Sequence, residues 1–171
     1  MKKVLKTVTL TISLFAAVFA AKAQPATPDL VTPAILSNYY ELKDALAADN
    51  STLAQVKAKA LLNAVETFNA TLFTAEQQRI WSSYTDKLQF DSRHISESTA
   101  LDHQREHFAS LSKSMFAVLK SLKLNSAPVY EQYCPMRKAT WLSESADIKN
   151  PYYGKQMLNC GKTTETLPVA K

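Results

Sequence analysis

Glycine is nearly missing from this sequence: Gly154 and Gly161 are the only two in 171 residues. A phosphate cradle needs a glycine-rich turn, so neither a P-loop nor a dinucleotide fingerprint can be built, and nucleotide-dependent chemistry falls away. Excess charge is also scarce once it is located. Of 20 basic residues against 15 acidic ones, Lys2, Lys3, Lys6 and Lys22 lie in the first 23 residues, where no acid occurs; the remainder carries 16 against 15. That balance leaves no positive field to neutralise nucleic-acid phosphates or anionic lipid. A 46% hydrophobic and 20% charged composition at this length fits one globular domain and excludes a multidomain machine.

The N-terminal bias has its own reading. Met1-Lys2-Lys3 is a charged start, Val8 to Ala21 is almost wholly apolar or hydroxylated, and Ala21-Lys22-Ala23 fits a small-residue cleavage site. Residues 1–23 are therefore expected to be a signal peptide, with a soluble, periplasmic or secreted chain from Gln24 onward. The apolar run is shorter than the ~20 residues of a spanning helix, so no span is expected in the mature chain. With no cysteine near the cleavage site, a lipid anchor has no attachment point.

Pro25, Pro28 and Pro33 mark residues 24–33 as an extended leader, with a single domain from 34 to 171. Four apolar stripes follow at helical spacing. Ile35, Tyr39, Leu42 and Leu46 form the first, closed by Asp49-Asn50-Ser51; Leu61, Val65, Phe68 and Leu72 form the second, from Leu53 to Thr74. Thr74 with Gln77 has the form of a capping box, opening a third helix that carries Trp81, Tyr84 and Leu88 and frays among Ser92, Ser96 and Ser98. Thr99 is the expected cap of the fourth, which carries Leu101, Phe108, Leu111, Met115, Val118 and Leu122 until Asn125 and Pro128 stop it. The fold expected is mainly α: an antiparallel four-helix bundle with a small irregular or β C-terminal extension. Strand pieces are expected at Val129–Tyr133 and Ala139–Leu142, and a short helical turn at 151–160.

That tail, residues 129–165, concentrates sulfur: Cys134-Pro135-Met136 and Met157-Leu158-Asn159-Cys160. In extended chain, residues two apart share a side, so Cys134 and Met136 are expected to face one ligand; Met157 and Cys160 share a face if their stretch is helical. Thiolate and thioether favour Cu(I) or Ag(I) over hard cations. Two cysteines in an exported chain most often make a disulfide, here Cys134–Cys160, and the two states compete because an oxidised pair supplies no thiolates. His103 and His107, four apart on the fourth helix, stack on one face at a spacing suited to two imidazoles on one metal; the plain alternative is a hydrogen-bonded polar flank. Helical-wheel arithmetic puts Gln104 in the apolar seam and His107 at its edge, and His94 becomes a third donor only if helix three folds back alongside. No G-x-S-x-G elbow, no H-E-x-x-H and a single acidic-x-x-His element, Asp91 to His94, leave catalysis without a motif. An enzyme is not expected. Trp141, Tyr152 and Tyr153 are expected as exposed aromatics that close the bundle's end or meet a partner.

Tyr39-Tyr40-Glu41-Leu42-Lys43-Asp44-Ala45-Leu46, the stretch His103 to Ser112, Tyr133-Cys134-Pro135-Met136, Trp141-Leu142-Ser143 and the stretch Asn150 to Gly161 together resemble an exported family of unknown function. That family occurs as stand-alone envelope proteins and as the C-terminal module of heavy-metal efflux adaptors of the copper/silver type. The resemblance implies a helical domain that handles Cu(I) or Ag(I), with Cys134, Met136, Met157 and Cys160 as the metal-facing set and His103 and His107 as a second candidate. It also implies a heavy-metal efflux component as partner. Arg137-Lys138 follows the Cys-Pro-Met where metal-binding segments of this type often continue with histidine, which favours transient transfer over storage. The competing expectation is a structural interaction module stapled by Cys134–Cys160.

Overall fold

The computed structural model describes residues 32–169. The expected signal peptide and the leader as far as residue 31 lie outside the described residues. Four helices come first: α1 (Thr32–Ala47), α2 (Ser51–Glu66), α3 (Ala75–Glu97) and α4 (Leu101–Leu122). Three strands follow, β1 (Val129–Cys134), β2 (Ala139–Ser143) and β3 (Lys162–Leu167), in one antiparallel sheet of order β2-β1-β3. Among the described residues, no helix is long and apolar enough to cross a membrane.

Each helix follows from its stripe. Ile35, Tyr39, Leu42 and Leu46 of α1 meet Leu61 and Val65 of α2, Trp81 and Leu88 of α3, and Phe108, Leu111 and Met115 of α4 in one buried core. The capping box holds as expected: the Thr74 hydroxyl accepts from the Gln77 N–H and the Gln77 side chain accepts from the Thr74 N–H. Consecutive helices pack on one another, α1 on α2, α2 on α3 and α3 on α4.

Several boundaries differ from expectation for identifiable reasons. Helix α1 begins at Thr32, ahead of Ala34, because a proline in the first turn forfeits no hydrogen bond the helix would make. Helix α2 stops at Glu66, well before Thr74: Asn69 accepts from the Thr71 N–H and starts a separate 3-10 turn over Ala70–Leu72, which leaves Leu72 exposed. Ala100, not Thr99, occupies the cap position of α4 and makes no side-chain cap bond, while the Ser98 hydroxyl accepts from the Ala100 N–H. The expected strand pieces are β1 and β2; β3 was not anticipated, since Lys162-Thr163-Thr164-Glu165 is polar and mostly exposed, and its place is set by pairing with β1. Residues 151–160 form turns and one 3-10 turn, Gly154–Gln156.

Of the tail aromatics expected at the surface, Trp141 and Tyr152 are inside and Tyr153 is half-buried. Trp141 is fully buried and Tyr152 nearly so, the two rings 6.0 Å apart, with Tyr152 also 6.0 Å from Phe108 of α4. Tyr39 joins helices to sheet: its hydroxyl accepts from the Leu142 N–H at 3.0 Å and lies 2.7 Å from Ser112 Oγ, and its ring stacks on Phe108 at 5.3 Å. Burial pushes this phenol well above its ordinary pKa, so it stays protonated. Arg105 makes the second junction, donating to the carbonyls of Pro151 (2.8 Å) and Leu46 (3.1 Å) and to Asp49 Oδ1 (2.6 Å).

Candidate metal centre

The connection between α3 and α4 is three residues, Ser98 to Ala100, so the helices form a tight hairpin and the end of α3 lies beside the start of α4. His94 sits in the last turn of α3 and His103 in the first turn of α4. One turn further along α4, His107 faces the previous turn of α3, where Phe90 and Asp91 lie. The condition set by sequence for a third imidazole is thus met. One ligand nitrogen from each of His94, His103 and His107 lies within 4.8 Å of the others, and all three side chains are half-buried.

Ring geometry describes the cluster further. His94 and His107 stack at 4.5 Å with an interplanar angle of 16°, His103 meets His107 edge-on at 4.7 Å, and His94 and His103 are 6.0 Å apart. Bonds of roughly 2.0–2.1 Å to one ion would bring three nitrogens to about 3.3–3.6 Å from each other. From separations of up to 4.8 Å that is a closure of up to roughly 1.2–1.5 Å, and the near-parallel His94 and His107 rings must also turn, because each lone pair lies in its ring plane; both are χ adjustments of half-buried side chains.

The shell behind the imidazoles is ordered. His107 Nδ1 lies 2.9 Å from Asp91 Oδ1, and Asp91 is almost fully buried. With Nδ1–H donating to the carboxylate, the network assigns Nε2 of His107 as the free lone pair, the carboxylate–imidazole arrangement that orients metal ligands. Gln104, fully buried as the wheel expected, reaches the carbonyls of Ser51 (3.0 Å), Ser98 (2.6 Å) and Ile95 (3.4 Å) with its Nε2. It ties the α3–α4 connection to the start of α2 and so fixes the hairpin on which His94 and His103 stand. Phe90 packs on His94 at 4.3 Å and on His107 at 5.6 Å, yet remains about half exposed. Helical spacing alone pairs the two histidines of α4 and makes His94 conditional on the hairpin. Phe90 was not anticipated; its signal is its place one turn before His94 on the same face of α3.

The tail sulfurs are arranged differently. The chain is extended only as far as Cys134, which pairs with Ala139 across the hairpin turn Pro135–Lys138, so strand alternation does not reach Met136. Cys134 is fully buried, its Sγ accepting from Asn150 Nδ2 at 3.2 Å and from the Arg137 N–H at 3.4 Å, whereas Met136 is 61% exposed at the turn. Met157 follows the 3-10 turn and is half-buried, as is Cys160. Asn150 Nδ2 also donates to the Cys160 carbonyl at 2.7 Å, which brings the two cysteine segments together; both thiols are free. Cys134 here closes a turn.

Two surface clefts lie apart from the histidines. One, of about 380 Å³, lies between α1 and the α4–β1 loop beside Tyr40 and Glu144; the other, of about 450 Å³, lies between Leu119 and Val169. The first is lined by the Glu41, Asp44 and Glu144 carboxylates and by Ser37, whose hydroxyl donates to Glu41 Oε1 at 3.4 Å.

No curated protein and no solved structure matches the chain. A family does match, over residues 35–127, a stretch that takes in nearly all of α1 and the whole of α2 to α4 and stops before β1, so the sulfur-bearing tail falls outside it. That stretch is more than half of the chain, and the protein belongs to this family, described as "Protein of unknown function (DUF3347)".

Proposed function

We propose that this protein is a non-catalytic metal-binding protein that takes a borderline transition-metal ion, copper foremost, on His94, His103 and His107. The observation that carries the reading is the convergence of three imidazole nitrogens within 4.8 Å, backed by the Asp91 hydrogen bond to His107. Neutral imidazole suits copper and zinc, and three half-buried histidines make a site that both holds and releases an ion. We further infer that α1 to α4 form an antiparallel bundle with this centre on its α3–α4 face. The charged and then apolar start of the sequence supports a periplasmic location, and the resemblance of its motifs to the copper/silver efflux module supports an export system as its partner.

Histidines displace the tail sulfurs as the leading ligands because the Cys134 sulfur is buried and already accepts two N–H bonds. The test is competitive titration with Cu(I), Cu(II) and Zn(II) of the wild type, of a His94→Ala/His103→Ala/His107→Ala variant, and of Met136→Leu/Met157→Leu. Loss of one equivalent in the histidine variant, with the methionine variant unchanged, is expected. Binding that survives the histidine changes and disappears with the methionines would return the site to the tail.

A further inference from the structure

We infer that Phe90 is a selectivity residue of the three-histidine centre, and that the ion the centre is built to take is monovalent copper in low coordination. The inference rests on the three-histidine reading above.

Three observations converge on it. The gathered ligands are all imidazoles, with no carboxylate among them, so the ion keeps its whole charge. Desolvating a charge in a half-buried site costs in proportion to its square, so a divalent ion bears about four times the penalty of a monovalent one. Next, the Asp91 carboxylate is nearly fully buried and its hydrogen bond goes to His107. One positive charge on the far side of that imidazole balances it, whereas two leave a surplus. Finally, the Phe90 ring lies against His94 and His107 at 4.3 and 5.6 Å and walls that flank of the cluster with hydrocarbon. A d10 monovalent ion is satisfied by three nitrogens. Zn(II) completes a tetrahedron and Cu(II) a tetragonal set by adding water or a carboxylate, and an aromatic wall offers neither.

Phe90 is about half exposed, so the core does not demand a large apolar side chain there, and replacing it leaves the helix packing in place. The experiment measures Cu(I) affinity against a chromophoric cuprous chelator under anaerobic reducing conditions, and Zn(II) affinity in parallel. It does so for wild type, Phe90→Ser and Phe90→Leu, with metal bound by the histidine triple variant subtracted. Wild type is expected to prefer Cu(I). Phe90→Ser, which admits water, should narrow the Cu(I)-to-Zn(II) ratio by about tenfold or more, while Phe90→Leu, which keeps hydrocarbon there, should hold it nearly unchanged. A ratio that does not move in Phe90→Ser, or a wild type that prefers Zn(II), overturns the role of Phe90 and the monovalent assignment while leaving the histidine centre standing. Metal binding undiminished in the triple variant overturns the centre itself. Should Phe90→Ser fail to fold, a Phe90→Leu ratio that collapses like that of an open site counts against the inference.

Discussion

Single side chains decide whether three histidines on a helical hairpin act as a site. Asp91 holds His107 in one tautomer through a 2.9 Å hydrogen bond. Asp91→Asn can keep the shape but loses the charge that strengthens the imidazole as a donor, and an affinity loss of about 10–100-fold is expected in metal titration, with the thermal unfolding midpoint little changed. Tyr39 belongs to the core. Tyr39→Phe leaves the Leu142 N–H without its partner in the interior, and a loss of about 1–3 kcal/mol is expected in denaturant unfolding. The rate of metal binding should be unaffected by that change, since Tyr39 packs on Phe108 and Ser112 and not on the histidines.

Elements meet at the α1–α2 corner, where the tail is latched. Asp49 takes a left-handed conformation there, its Oδ1 accepts from Arg105 and its Oδ2 from the Lys155 N–H. Gly154 lies against this pair with φ +54°, and a Cβ placed on it would stand 1.9 Å from Asp49 Oδ1 and 2.7 Å from Arg105 Nη2. Gly154→Ala is expected to cost about 3 kcal/mol or more, read as a drop in the denaturant midpoint, because backbone strain and loss of the Arg105 pair act together. The Lys155 N–H, and after it Arg105, hold the Asp49 carboxyl below its ordinary value of 3.8. Its folded pKa is depressed, so its contribution is complete above pH 3.8 and disappears as pH falls through the lower folded value. Asp49→Asn should therefore flatten the acid limb of a stability-versus-pH curve and leave its slope near neutrality unchanged.

At the scale of the molecule, helices and sheet share one core. Strand β2 packs on α4 and α1, Tyr152 packs on Phe108, and Trp141 packs on Tyr152. A fragment ending at Ala127 keeps the residues that define the family but uncovers that face and strips Arg105 of its Pro151 carbonyl. Its thermal midpoint, followed by near-UV circular dichroism, is expected to fall by roughly 10–20 °C or to lose its cooperativity. A midpoint equal to that of the full chain would show that the sheet is an independent appendage.

How much was legible before the fold was known depends on the range of the interaction. Helical stripes, the capping box at Thr74 and the strand character after Pro128 were readable because each is set by neighbours within a few residues. The early end of α2 at Glu66 escaped notice because Phe68 and Leu72 continue an apolar spacing that the Asn69 turn interrupts. Strand β3 and the burial of Trp141 and Tyr152 are products of pairing and packing with segments far away in sequence. The sites divide in the same way. Two histidines four apart on one helix declare themselves in sequence, since helical geometry alone stacks them. The third imidazole, the Asp91 bond and the Phe90 wall exist only because Gln104 and a three-residue connection close α3 onto α4. Cys134 and Met136 part company for the converse reason, as a turn between them replaces the extended chain on which their common side depended. Local spacing thus determined which residues were available for metal chemistry, and the tertiary structure alone decided which of them stand close enough together to share an ion.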